Sequence, residues 1–157
     1  MGKAARRRIS YGRRSKSSLK LHRDTDTGPR GQLCALPQGL APDGSARPGL
    51  VVVPGTGQSA PTGGFAPIAG HEQDECEDRA RAVVAPAGSF VLWGAQHVHG
   101  NAGEGHELAT VAGATMQLTD ALGDPGRVLA YLRDEGYCVV TGVLDPSECR
   151  SMVDAAI

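Results

Sequence analysis

Gly49-Leu50-Val51-Val52-Val53 is a continuous aliphatic run, and Pro54-Gly55 stops it at once. Branching at Cβ stiffens a side chain against helix and suits it to a pleated surface, so the run predicts a strand. Proline cannot donate to a ladder and glycine turns the chain, so the strand ends there. The same punctuation recurs throughout. With 22 glycines and 10 prolines, apolar runs stay short, which predicts strands and loops over the first two thirds of the chain. Further strands are expected at 18–22, 32–36, 82–84, 90–93 and 110–118. Residues 56–70 read as a long irregular loop. Six aromatic residues in 157 leave a lean core for what is long enough to be one domain.

The texture changes after residue 120. Asp124-Pro125 is a helix start, with Asp as N-cap and Pro in the first turn, and Gly136 is a natural stop. Tyr137-Cys138-Val139-Val140 predicts a strand. Asp145-Pro146-Ser147-Glu148 opens a second helix with a capping box, and the chain ends inside that helix, as a truncated one would.

Charge is segregated. Residues 1–20 carry eight basic groups and no acid, whereas the rest carries eight basic and 17 acidic groups, a net of −9. The basic arm reads as a solvated tail, with organelle targeting as an alternative. Only Tyr11 could stack on a base, which argues against nucleic acid. No apolar run approaches the ~20 residues of a membrane span. Cys34, Cys76, Cys138 and Cys149 form no C-x-x-C pair, so reduced thiols in an intracellular, cytoplasmic setting are expected rather than structural zinc. The acidic stretch 71–78 is read as a solvated charge run in preference to a metal cluster.

His22-Arg23-Asp24 carries the chemistry. Residues two apart on a strand leave the same face, so His22 and Asp24 can share a ligand. A histidine from a distant strand would complete a facial set of two histidines and one carboxylate, which suits iron(II) with open positions. His97 and His99 both qualify, because periodicity puts them on one strand face.

Four segments together resemble the phytanoyl-CoA dioxygenase family of iron(II)/2-oxoglutarate oxygenases. They are His22-Arg23-Asp24-Thr25-Asp26-Thr27, Gly49 to Thr56, Gly88-Ser89-Phe90-Val91-Leu92-Trp93 through His99-Gly100-Asn101, and Leu132 through Glu148. The resemblance implies a mainly β fold: a double-stranded β-helix portion, jelly-roll or cupin-like, over 21–120, followed by a helix–strand–helix module over 121–157. It selects His99 as third ligand with His22 and Asp24, and leaves His97 and Trp93 behind the ligands or toward the substrate. It implies Fe(II), 2-oxoglutarate as cosubstrate, and hydroxylation of a small-molecule or acyl substrate, with succinate as coproduct.

Two departures accompany it. The module over 121–157 resembles the family's opening segment, yet it follows the closing one. A slice of a tandem array or a gene fragment is therefore expected, in which 121–157 begins a second copy; a circular permutant is the other option. The family also anchors the cosubstrate's far carboxylate on an arginine, whereas residues 100–126 contain no Arg or Lys. His106 and Thr110 are the weak substitutes, and Glu107 would repel the anion. The alternative reading is a non-catalytic β-helix remnant that binds or supports.

Overall fold

The computed structural model describes residues 19–24, 29–40, 47–57, 66–67, 70–103 and 108–156, with side chains omitted at 66–67 and 70–73. Its strands are β1 (His22–Arg23), β2 (Pro29–Cys34), β3 (Gly49–Val52), β4 (Ala66–Pro67), β5 (Arg81–Val83), β6 (Ser89–Gly94), β7 (His99–Ala102), β8 (Ala109–Val111), β9 (Thr115–Gln117) and β10 (Tyr137–Thr141). Its helices are α1 (Gly70–Arg79), α2 (Leu118–Gly123), α3 (Pro125–Asp134) and α4 (Pro146–Ala155). One sheet runs β4-β1-β7-β3-β5-β8 and the other β2-β6-β10-β9. The architecture is mixed α/β, richer in helix than the mainly β expectation.

Burial explains the layers. Leu50 and Val52 of β3 join Cys34, Val91, Tyr137 and Val139 in a core between the sheets. Val51 and Val53 point the other way, where they pack with Leu19, Leu21, Cys76 of α1 and Val98. A strand buried on both faces needs no alternation, which is why 49–53 reads as an unbroken aliphatic run. The second sheet repeats the pattern. Cys138 and Val140 leave the inter-sheet core to Tyr137 and Val139, and pack with Met116 and Leu132 on the opposite face.

The helix caps form as the sequence predicts. The Asp124 side chain accepts the Arg127 N–H at 3.2 Å. Asp145 accepts from the Glu148 N–H at 2.8 Å, while the Glu148 carboxylate accepts from the Asp145 N–H at 3.1 Å. Several elements differ from expectation. The strand expected at 18–22 is reduced to His22–Arg23, and β4 forms inside the loop expected over 56–70. Residues 71–78 lie within α1, whose Cys76 is its buried anchor; a helix so polar carries no apolar periodicity to read. The single strand expected at 110–118 divides into β8 and β9, which belong to different sheets. The strand expected at 32–36 starts earlier, at Pro29.

The largest correction concerns residues 121–157. They are not a separate module: β10 sits inside the second sheet, antiparallel to β6 and parallel to β9. Gly88 links the two parts further. Its carbonyl accepts the N–H groups of Val143 and Leu144, both at 3.0 Å. It has φ +87°, and a Cβ there would meet the Leu144 carbonyl oxygen at 2.4 Å. Gly88→Ala therefore combines left-handed strain with a backbone clash, and chemical denaturation should report a loss of about 1–3 kcal/mol. An unchanged midpoint would mean this contact does not join the two parts.

Candidate metal centre

His22 and His99 face each other as direct partners across β1 and β7. His99 is also the direct partner of Val52 on β3. Direct partners in an antiparallel ladder project to the same side, and Val52 belongs to the inter-sheet core. Both imidazoles therefore face the space between the sheets. Asp24 follows β1, with its N–H held by the Ala95 carbonyl at 2.7 Å. Its carboxylate closes the set: Oδ1 lies 3.5 Å from His22 Nε2 and Oδ2 lies 3.2 Å from His99 Nε2. The ring centroids are 4.6 Å apart, and all three ligand atoms lie within 4.8 Å of one another. Neighbouring ligands on one first-row cation sit ~3 Å apart, given bonds near ~2.1 Å, and both Asp24–histidine pairs are already close to that spacing.

Both histidines are oriented from behind. The Nδ1 of His22 lies 2.6 Å from the Lys20 carbonyl, and the Nδ1 of His99 lies 2.7 Å from the His97 carbonyl. A carbonyl only accepts, so each Nδ1 carries the proton, and a neutral ring then offers its Nε2 lone pair. Lys20 has φ +52°, a left-handed turn just before the strand. Burial pushes the His99 pKa below its ordinary value, with the His97 carbonyl and Asp24 opposing that only in part. The Nε2 lone pair of His99 thus points at a carboxylate oxygen. Two lone pairs facing at 3.2 Å repel, and a cation between them removes the conflict. This donor set fits a divalent metal.

His97 is where expectation and structure part. Residues 95–98 form a turn, so His97 and His99 do not share a strand face. The His97 ring packs against glycines instead: a Cβ at Gly57 or Gly136 would come within 2.7 or 2.9 Å of it. Its pKa is lowered by burial, then by Arg23 and His99. The ring also lines a cleft of about 650 Å³ with Gly55, Gly94, Leu129 and Leu132, and none of the three ligand residues lines that cleft. His97 serves the centre through its backbone.

Trp93 packs against the inter-sheet core, 6.1 Å from the His99 ring by centroid. Thr110 is exposed on β8, with β3 and β5 between it and β7; it is not part of the centre. His106, like Glu107, lies outside the described residues.

Three contributors escaped the sequence reading. Arg30 of β2 places its Nε 3.1 Å from Asp24 Oδ2. The Arg23 guanidinium donates to the Thr56 carbonyl at 3.3–3.4 Å. The buried Thr56 hydroxyl donates to the Val53 carbonyl at 2.6 Å and accepts the Val98 N–H at 2.9 Å, pinning the approach to His99. Arg30 left no trace in spacing, because only the β2–β6 register brings it beside Trp93.

Among the described residues this is the sole grouping of three or more such side chains able to hold a metal, and no helix there is long and apolar enough to cross a membrane. Comparison with family models, with curated proteins and with solved structures returns no match to this chain.

Proposed function

We propose that this chain is an iron(II)/2-oxoglutarate-type dioxygenase domain, built on the strands of a double-stranded β-helix and acting on a small or lipid-like substrate. One observation carries the reading. Two histidines and one carboxylate converge on a single point from residues 22, 24 and 99, with both Nδ1 groups already committed to backbone carbonyls. Such a set occupies one face of an iron(II) ion and leaves the other positions for ligands. The family resemblance of the four segments supports the choice of metal and cosubstrate.

Iron(II) held there would supply dioxygen activation, coupling decarboxylation of the 2-oxo acid to succinate with hydroxylation of a C–H bond. The chain's own part is positional. Lys20 and His97 hold the imidazoles by their carbonyls, the Ala95 carbonyl holds the Asp24 backbone, and Thr56 ties β3 to the residues before His99. Val52, Val91, Val139 and Trp93 provide an apolar floor between the sheets that keeps water from the inner side of the centre.

The Arg30–Asp24 ion pair favours a second reading, a non-catalytic remnant, since it would neutralise Asp24 with no metal bound. Succinate formation by the purified chain distinguishes them. The oxygenase reading expects release only when iron(II) and 2-oxoglutarate are both supplied under air. A chain that binds iron(II) yet forms no succinate with any acyl or small-molecule substrate supports the remnant.

A further inference from the structure

The imidazole of His97 has no task at the metal centre, although its backbone carbonyl orients His99. The residue is 6% exposed, and neither ring nitrogen has a hydrogen-bond partner among the described residues. His22 and His99 differ, since each commits its Nδ1 to a backbone carbonyl. Buried polar groups left without a partner are rare, and each one calls for a use.

Three glycines show which way the ring faces. A Cβ at Gly136 would meet Cγ and Cδ2 at 2.9 Å, so that glycine packs on the carbon side. A Cβ at Gly57 would lie 2.8 Å from Nε2, and one at Gly94 would lie 3.0 Å from Nδ1. Gly57 and Gly94 line the cleft of about 650 Å³, whereas Gly136 does not. The nitrogen edge of the ring therefore opens on the cleft, and the missing side chains at 57 and 94 leave room beside both nitrogens. A cleft of this volume lies in the range of small-molecule sites.

The rest of the lining narrows the ligand. Pro29, Leu129 and Leu132 form an apolar wall. Arg133 and Asp134 also line the cleft but satisfy each other, the guanidinium donating to both carboxylate oxygens at 2.9 and 3.2 Å. No protein partner fixes which His97 nitrogen carries the proton. A group that satisfies the ring in either tautomer must both donate and accept. A hydroxyl does so, whereas a carboxylate only accepts and an ammonium only donates.

We infer that this cleft binds an aliphatic alcohol, its hydroxyl on the His97 imidazole and its hydrocarbon against Leu129 and Leu132. The site stands apart from the metal reading, because none of the three ligand residues lines it. It also gives an occupant to Leu129, which is 61% exposed.

The test uses the full chain without added metal, its histidines isotope-labelled in the ring nitrogens, with hexanol as the probe. Long-range proton–nitrogen NMR spectra should show saturable shifts of the His97 nitrogens and smaller ones at His22 and His99. Hexanoate and hexylamine should bind roughly three- to tenfold more weakly, the range of one hydrogen bond. Leu129→Gln keeps a good helix former on α3 and should weaken hexanol by a similar factor, with the melting temperature unchanged. His97→Leu should erase the preference for the alcohol; where that variant does not fold, the wild-type ring signals decide. His97 nitrogens that stay in place up to the solubility limit of hexanol overturn the inference. So does hexanoate that binds as tightly as the alcohol.

Discussion

Asp24→Ala is expected to abolish stabilisation of this protein by divalent metal. A ligand that binds only the folded state at a hundredfold excess over its Kd contributes about 2.7 kcal/mol. For a chain of this length that is roughly 5–10 °C in melting temperature. The wild type should therefore melt several degrees higher with cobalt(II) or anaerobic iron(II), and the variant should not respond. The reason is geometric. The Asp24 carboxylate meets both Nε2 atoms, at 3.5 and 3.2 Å. Its loss leaves two imidazoles without the anionic oxygen between them, a weak pair for a hard cation. Metal affinity should fall by more than ~100-fold, because removing partners that merely orient ligands already costs 10–100-fold. Asp24→Asn keeps the shape and removes the charge, and should fail similarly. Equal thermal shifts in wild type and Asp24→Ala would place any metal elsewhere.

Deleting residues 121–157 should leave a chain that does not fold. The sequence suggests a detachable module, whereas the sheet order puts β10 between β6 and β9. Tyr137, Cys138, Val139 and Val140 are 2%, 0%, 0% and 5% exposed. Each large apolar side chain so buried contributes about 1.5–3 kcal/mol, and β10 alone accounts for several. Domains of this kind hold only about 5–15 kcal/mol in total. The deletion also strips the cover from Phe90 and Leu92 and turns β6 into an exposed apolar edge, which invites aggregation. Circular dichroism and gel filtration of residues 1–120 decide the matter. A cooperative melt within a few degrees of the full chain would restore the idea of an independent module. Because α3 also supplies Leu129 and Leu132 to the cleft beside His97, this part of the chain shapes the surroundings of the centre as well as the sheet.

Local rules carried the sequence far in some places. The β-branched run at 49–53, the Asp124 and Asp145 caps and the apolar strand at 137–140 all form where their residue types require. These are short-range decisions, made by rotamer freedom, missing N–H groups and side chains that bond their own backbone. The pairing of His22 with Asp24 belongs with them, since two residues apart is a local distance. Polar α1 offered no such signal, and the split of 110–118 into β8 and β9 reflects two sheets competing for neighbouring residues.

The sequence by itself determined that this chain is built from short, punctuated strands with capped helices behind them, and that histidines and one aspartate stand at the right intervals to be ligands. Tertiary structure alone decided that β10 belongs to the second sheet, that the His97 ring turns away while its carbonyl orients His99, and that Arg30 meets Asp24. The physical reason is that strand partners and register are chosen by packing between residues distant in the chain. A one-residue slip of β2 against β6 would send Arg30 to the other face, and nothing in the local sequence around residue 30 records which choice was made.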